Sequence, residues 1–329
     1  MILAGDIGGT NTRLGLFRVV DRKIRPIEMA TFLSQQSASL EIMVRSFLSG
    51  RRERVRACAV GVAGPVRDGR SGVVNLRWPV DARKLARAVG LDRAYVINDL
   101  EAAAWGVLHL PPRATVSLTP RVRPHEGNGA VIAAGTGLGM AILFWDGERH
   151  IPSASEGGHA SFAPRNELEM LLLQHLARNL DRVSIERVVS GPGLSTIYKF
   201  LREMGTTPES EEMRTRLEAG DPNAAIAAAG VSGEDRLAVE TVDLFVSLYG
   251  AVAGDLALVA KATAGVYIVG GIGSGLLPKL RSETFLESFR AKGRLRPFVS
   301  TVPVKVVLDA RAPLFGAAAC ATHFAAHHG

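Results

Sequence analysis

Short apolar runs separated by turn residues dominate the first third of the chain, and their spacing lays out an alternation of strands and helices. Residues 2–7, 13–20 and 25–33 predict strands, two of them close enough for hairpins. Residues 40–48 carry apolar positions at helical spacing, the mostly apolar 55–63 reads as a buried strand, and 81–89 predict a helix opened by an aspartate cap. A strand at 94–97 and a helix at 98–108 follow, so the pattern predicts an α/β sheet with helices on its faces. A second cycle begins with strands at 130–134 and 140–144 around a glycine turn and continues into a helical region from about Glu167 to Ala262. In its last helix Leu237, Leu244, Leu248, Val252, Leu256 and Val259 recur at helical spacing while Glu240, Asp243 and Ser247 take other faces, which predicts one buried stripe. Strands at 266–269 and 304–308 and a closing helix at 313–326, with proline at its start, complete the pattern. The stretch 204–235 is polar, contains Gly and Pro, and reads as variable surface.

Length and composition add that 329 residues with 47% hydrophobic content suit two lobes better than one. No run approaches the roughly 20 apolar residues of a membrane span; residues 242–266 carry Asp243, Asp255 and Lys261 and read as a buried helix. The start of the chain lacks a secretory signal pattern, and a cytoplasmic protein is expected. Cys58 and Cys320 each sit in an apolar run and read as buried free thiols. The net charge of +7 is spread along the chain, mostly as arginine. Its densest cluster, Arg51-Arg52-Glu53-Arg54, reads as solvated surface. Neither nucleic acid nor a membrane is an expected partner, although a mildly positive field suits an anionic nucleotide.

Candidate chemistry gathers where apolar strands end in glycine. Three such turns occur: Asp6-Ile7-Gly8-Gly9-Thr10-Asn11-Thr12, Ala134-Gly135-Thr136-Gly137-Leu138-Gly139 and Val269-Gly270-Gly271-Ile272-Gly273. Each alone reads more often as a tight turn between strands. Together they suggest a clamp for polyphosphate, because glycine lets backbone N–H groups approach phosphate oxygens and Thr10 and Thr136 add hydroxyl donors. Asp6 is suited to hold Mg²⁺ through water. No G-x-x-x-x-G-K-[ST] or G-x-G-x-x-G pattern is present, which argues against a P-loop and against a dinucleotide cofactor. Asn98-Asp99, at the junction of a strand and a helix, reads either as a cap pair or as a base held ionised by the helix dipole.

Gly5-Asp6-Ile7-Gly8-Gly9-Thr10-Asn11, Ile97-Asn98-Asp99, Gly135-Thr136-Gly137, Glu156-Gly157-Gly158-His159 and Val269-Gly270-Gly271 occur in the order found in the hexokinase, actin and Hsp70 superfamily. With Phe162-Ala163-Pro164 and Glu186-Arg187-Val188-Val189-Ser190-Gly191-Pro192-Gly193, the chain resembles the bacterial glucokinases over essentially its whole length. The resemblance implies a two-lobed ribonuclease H-like (actin-like ATPase) α/β fold with an active-site cleft between the lobes. The small domain would be residues 1–109 completed by 305–329, and the large one 110–304. It implies an ATP-dependent kinase forming glucose 6-phosphate for glycolysis, with Asp99 as base and Asn98, Asp99, Glu156, His159 and Glu186 binding glucose. Gly5, Asp6, Ile7, Gly8, Gly9, Thr10, Gly135, Thr136, Gly137, Gly270 and Gly271 would hold ATP and Mg²⁺, and a homodimer is expected. By themselves, His159 also reads as an ordinary hydrogen-bonded histidine and Glu186 as a first-turn helix charge. Another hexose (mannose, fructose or an N-acetylhexosamine) and an actin-like or Hsp70-like nucleotide switch are the alternative functions. No cysteine lies near His159, so the structural zinc of the related repressor and open-reading-frame kinases is not expected. His323 and His327 could share a helix face, but a frayed tail accounts for them.

Overall fold

The computed structural model describes residues 1–21, 23–51, 53–72 and 76–327. Arg52 of the basic cluster and the side chain of His327 lie outside what is described. The chain divides into two compact units, Met1–Ala114 with Asp309–Gly329, and Thr115–Leu308.

In the first unit β1 (Ile2–Ile7) pairs antiparallel with β2 (Asn11–Val20), β2 pairs with β3 (Lys23–Leu33), and β1 runs parallel to β4 (Ala57–Val62). After a ribbon of β5 (Arg70–Ser71) and β6 (Val80–Asp81), β7 (Tyr95–Asn98) joins β4 in parallel, giving the order β3-β2-β1-β4-β7. β1 and β4 carry helices on both faces, which is why they read as continuous apolar runs. Alternation along the strands sorts their side chains. Leu3, Cys58, Val60 and Val96 pack with Leu40, Val44, Phe47 and Leu85, whereas Ile2, Ala4, Ala59 and Ile97 pack with Ala102, Trp105, Leu314 and Phe315. Asp81 caps the helix Ala82–Val89, accepting the N–H groups of Arg83 and Lys84.

The helices Asp99–Val107 and Ala312–His327 cross in backbone contact. A Cβ at Gly316 would overlap the carbonyl of Ala102, and one at Gly106 would overlap the carbonyl of Ala312. This crossing ties the C-terminal helix to the first sheet and immobilises the helix that begins at Asp99.

In the second unit β8 (Thr115–Ser117), β9 (Gly129–Ala134), β10 (Leu138–Trp145), β11 (His150–Ser155), β12 (Gly265–Val269) and β13 (Val304–Val307) form a sheet ordered β11-β10-β9-β12-β13-β8. An antiparallel meander again leads into parallel neighbours, as in the first sheet. The sequence pattern omitted β8 and β11, both short segments with polar residues. β13 pairs with β12 and β8, so the segment that rejoins the first unit begins at Asp309 and not at 305.

The helix Arg236–Ala260 departs from the one-stripe expectation. Phe245, Val246, Tyr249 and Ala253 are buried on further faces, while Val259 is 77% exposed. The cause is its central place: it packs against Gly191–Met204, Pro222–Ser232 and Glu283–Arg290 at once. Among the described residues it alone is long and apolar enough to cross a membrane, and most of that length is buried in the unit's core. The polar stretch 204–235 forms two helices, Glu211–Ala219 and Pro222–Ser232, which contribute Met213, Ile226 and Ala229 to that core.

Gly316→Ala should force the two crossing helices apart at a cost of about 1–3 kcal/mol, the usual range for overpacking. Thermal denaturation should show a lower midpoint, whereas Gly220→Ala, where a Cβ meets nothing within 4 Å, should leave it unchanged. Equal midpoints for the two variants would dismiss the crossing as a constraint.

Candidate active site

In the first unit the turn between β1 and β2 is closed by Gly8 N–H donating to Asn11 O at 2.9 Å. It is braced from beneath by Ser34, whose hydroxyl donates to Gly8 O at 2.7 Å and lies 2.9 Å from Thr12 Oγ1. Asp6 stands opposite Arg13 in the strand register, and the Arg13 guanidinium lies 3.0 Å from Asp6 Oδ2 and 3.3 Å from Ala310 O. Thr10 and Asn11 are exposed at the tip of the turn. Burial pushes the Asp6 carboxyl above its ordinary value, Arg13 opposes that shift, and the charge of Asp99 adds to it. The two carboxylates therefore act on one another.

β7 ends at Asn98, which caps the following helix: its Oδ1 accepts Leu100 N–H at 2.8 Å and its Nδ2 donates to Gly64 O at 3.2 Å. The cap reading of Asn98 is thus realised. Asp99 is the first helical residue, with Oδ1 2.8 Å from Leu100 N. The helix dipole predicted an easily ionised carboxyl, but burial outweighs the hydrogen bonds from Leu100 and Asn98 and raises its pKa. Asp99 is consequently a stronger base than an exposed aspartate.

In the second unit the turn Ala134–Leu138 joins β9 to β10. Gly135 N–H donates to Gly137 O at 2.8 Å, Gly191 N–H donates to Gly135 O at 2.7 Å, and Ala134 N–H reaches the buried Tyr249 hydroxyl at 3.3 Å. β12 runs parallel beside β9, so Gly270 comes close to Ala134 O. Gly270 sits at φ 92°, a conformation that favours glycine, and opens the short helix Gly271–Gly275. Two of the predicted phosphate turns are therefore neighbours. The helix Gly191–Met204, capped by Ser190, brings a third glycine segment against Gly135.

Glu156, His159 and Glu186 come together in the same unit. Gly157–His159 form one 3₁₀ turn, and Glu186 lies in another, Ile185–Arg187, not in the opening of the later helix. Residues 160–162 run beside 183–185, with Ile185 N–H donating to Ala160 O and Phe162 N–H to Val183 O, both at 2.9 Å. The pairing sets His159 Nδ1 3.9 Å from Glu186 Oε1, and His159 Nε2 3.9 Å from Glu156 Oε2. Glu186 Oε2 accepts Leu138 N–H at 2.8 Å. The cluster is open to water, most of all at Glu156. Such acceptors beside an imidazole can bind several hydroxyls of one polyol.

Arg13, Ser34 and Tyr249 were missed from sequence. Hairpin register across the turn that begins at Gly8 would have paired Arg13 with Asp6, but Ser34 and Tyr249 lie too far along the chain for a local signal. For Mg²⁺ the donor set is one carboxylate, Asp6, and no group of three or more His, Cys, Asp or Glu suited to a metal exists among the described residues. That fits an ion carried largely by phosphates and water.

A family model described as glucokinase matches residues 3–324. A glucokinase of Nostoc sp. strain PCC 7120 is 39% identical over 98% of both chains. The crystal structure of a glucokinase from an Antarctic psychrotroph superposes with a TM-score of 0.87 at 32% identity, covering 98% of each chain. That of a ROK family glucokinase from Streptomyces griseus, in complex with glucose and AMPPNP, superposes with a TM-score of 0.63 at 24% identity over 98% of this chain and 99% of that one, a likeness of fold.

Because burial raises the Asp99 pKa, the folded state disfavours its charge, and the resulting stability deficit is full at neutral pH, shrinks as pH falls below the folded pKa and is gone below the ordinary carboxylate value of 3.8. Asp99→Asn should therefore stabilise the protein at pH 7 by roughly 0.5–2 kcal/mol. Thermal melts should show that gain shrinking in acid. A variant less stable than the parent at neutral pH would contradict the electrostatic argument.

Proposed function

This chain belongs to the glucokinase family, and we propose that it transfers the γ-phosphate of ATP to the 6-hydroxyl of D-glucose. Asp99 accepts the proton of the 6-hydroxyl as that oxygen bonds to the γ-phosphorus; the bond to the β,γ-bridging oxygen breaks, and ADP leaves with the electron pair. Asn98, Glu156, His159 and Glu186 hold the sugar's other hydroxyls. The turns at 8–10, 135–137 and 270–271 take the phosphates through backbone N–H groups, and Thr10 and Thr136 add hydroxyls. Asp6 would hold Mg²⁺ through water, and the ion, when bound, would supply charge neutralisation on the phosphates.

The observation that carries this reading is the desolvated Asp99 carboxyl at the C-terminal end of a parallel strand, within the field of strand-end Asp6, in a chain whose family match spans residues 3–324. The buried thiols of Cys58 and Cys320 agree with a cytoplasmic location, and the family resemblance supports a homodimer, which sedimentation equilibrium tests. Coupled assays of glucose 6-phosphate formation, run with ATP, ADP and polyphosphate against glucose, mannose, fructose and N-acetylhexosamines, test donor and acceptor together. Preference for a hexose other than glucose would replace the substrate assignment.

Asp99→Ala should lower kcat by about 10²–10⁴-fold, the usual range for a lost general base. Calorimetry should find glucose affinity changed only a few-fold. In the parent enzyme kcat should fall as pH drops through the Asp99 pKa, with the acid limb lying above the ordinary carboxylate value of 3.8. Near-normal turnover in the variant would remove Asp99 from the mechanism.

A further inference from the structure

Glu186 stands where the two chemistries of the second unit meet. Its Oε2 is committed to Leu138 N–H at 2.8 Å, the first strand residue after the glycine turn assigned to phosphate, while its Oε1 faces His159 Nδ1 at 3.9 Å. An ionised carboxylate only accepts hydrogen bonds, so fixing one oxygen on a backbone donor sets the direction in which the other can receive a hydroxyl. Gly137 closes on the same carboxylate: a Cβ there would overlap Glu186 Oε2. Leu138 also supports the Glu156–His159 turn, because a Cβ at Gly158 would overlap the Leu138 carbonyl. The turn itself is held from the other side, where Gly135 N–H donates to Gly137 O and Gly135 O receives Gly191 N–H. The N–H of Leu138, in the peptide it shares with Gly137, thus touches Glu186, and the Leu138 carbonyl backs the Glu156–His159 turn, at a position that continues the phosphate turn.

We propose that the Gly137–Leu138 peptide is a positioning element of the hexose site. The bare Cα of Gly137 and the N–H of Leu138 together aim the Glu186 carboxylate, so the phosphate turn also sets glucose affinity before any nucleotide arrives. This rests on the glucokinase reading and extends it. Linkage then works in both directions: a change at Glu186 alters the turn, and nucleotide affinity changes with it.

The test is a double-mutant cycle on the full chain, with glucose affinity measured by calorimetry in the absence of nucleotide. Gly137→Ala should weaken glucose binding by about 10-fold or more, although residue 137 is not itself a sugar ligand. In the Glu186→Ala background the same change should shift glucose affinity less than about two-fold, because no carboxylate remains to be displaced. Additive losses in the double variant, or unaltered glucose affinity in Gly137→Ala, would overturn the proposal. Should Gly137→Ala fail to fold, Glu186→Ala decides the matter through Mg·ADP: weaker nucleotide binding, by about three-fold or more, supports the linkage, and an unchanged Kd refutes it. A parent protein that neither binds nor phosphorylates glucose would instead end the functional reading, and the positioning role with it.

Discussion

Keeping a carboxylate basic while largely withdrawing it from water is the constraint on which the first unit depends. Asp99 meets it by sitting at the end of a buried parallel strand, where desolvation raises its pKa and the Leu100 N–H and Asn98 side chain keep the ionised form from becoming too costly. The helix that Asp99 begins cannot shift, because its backbone rests on the C-terminal helix through Gly106 and Gly316. Fold stability and the placement of the Asp99 carboxyl therefore depend on the same contact. Arg13 does comparable work at Asp6, offsetting the charge of a second half-buried carboxylate close enough to feel the first.

The second unit solves a different problem with a similar sheet. An antiparallel meander feeds parallel strands, and the ends of β9 and β12 place two glycine turns side by side. Below them the central helix presents Tyr249 to Ala134 N–H, so the glycine turn after β9 is anchored to the core and not only to its own strands. Beside them, short 3₁₀ turns bring Glu156, His159 and Glu186 within reach of one another without a regular helix. Such turns suit the task, since they set side-chain direction within three residues and leave the polar atoms open to a ligand.

For a kinase this division has a physical logic. The hydroxyl and the phosphate must meet in line, and little covalent work falls to the protein beyond orientation and charge. Family membership over residues 3–324 states which chemistry this chain performs, while the geometry shows how desolvation, capping and backbone donors supply its parts. At the strand-end carboxylates Arg13 sets its guanidinium 3.0 Å from Asp6 Oδ2.

Much was legible in the sequence because it is local. Period-two and period-3.6 patterns, the Asp81 cap, the strand-end glycines and the Asn98-Asp99 junction each depend on a few neighbouring residues. Tertiary structure decided what required distant partners. Val304–Val307 could join either sheet until pairing chose the second, residues 204–235 read as surface until their helices found a core, and Val259 lost its predicted burial to the packing around one crowded helix. The helix N-terminus at Asp99 is encoded next door, whereas the burial that raises its pKa is not. Glu186 and Leu138 lie 48 residues apart, and only the folded chain gives that carboxylate its donor. Periodicity and capping are short-range properties of a backbone, whereas desolvation and register belong to the whole fold.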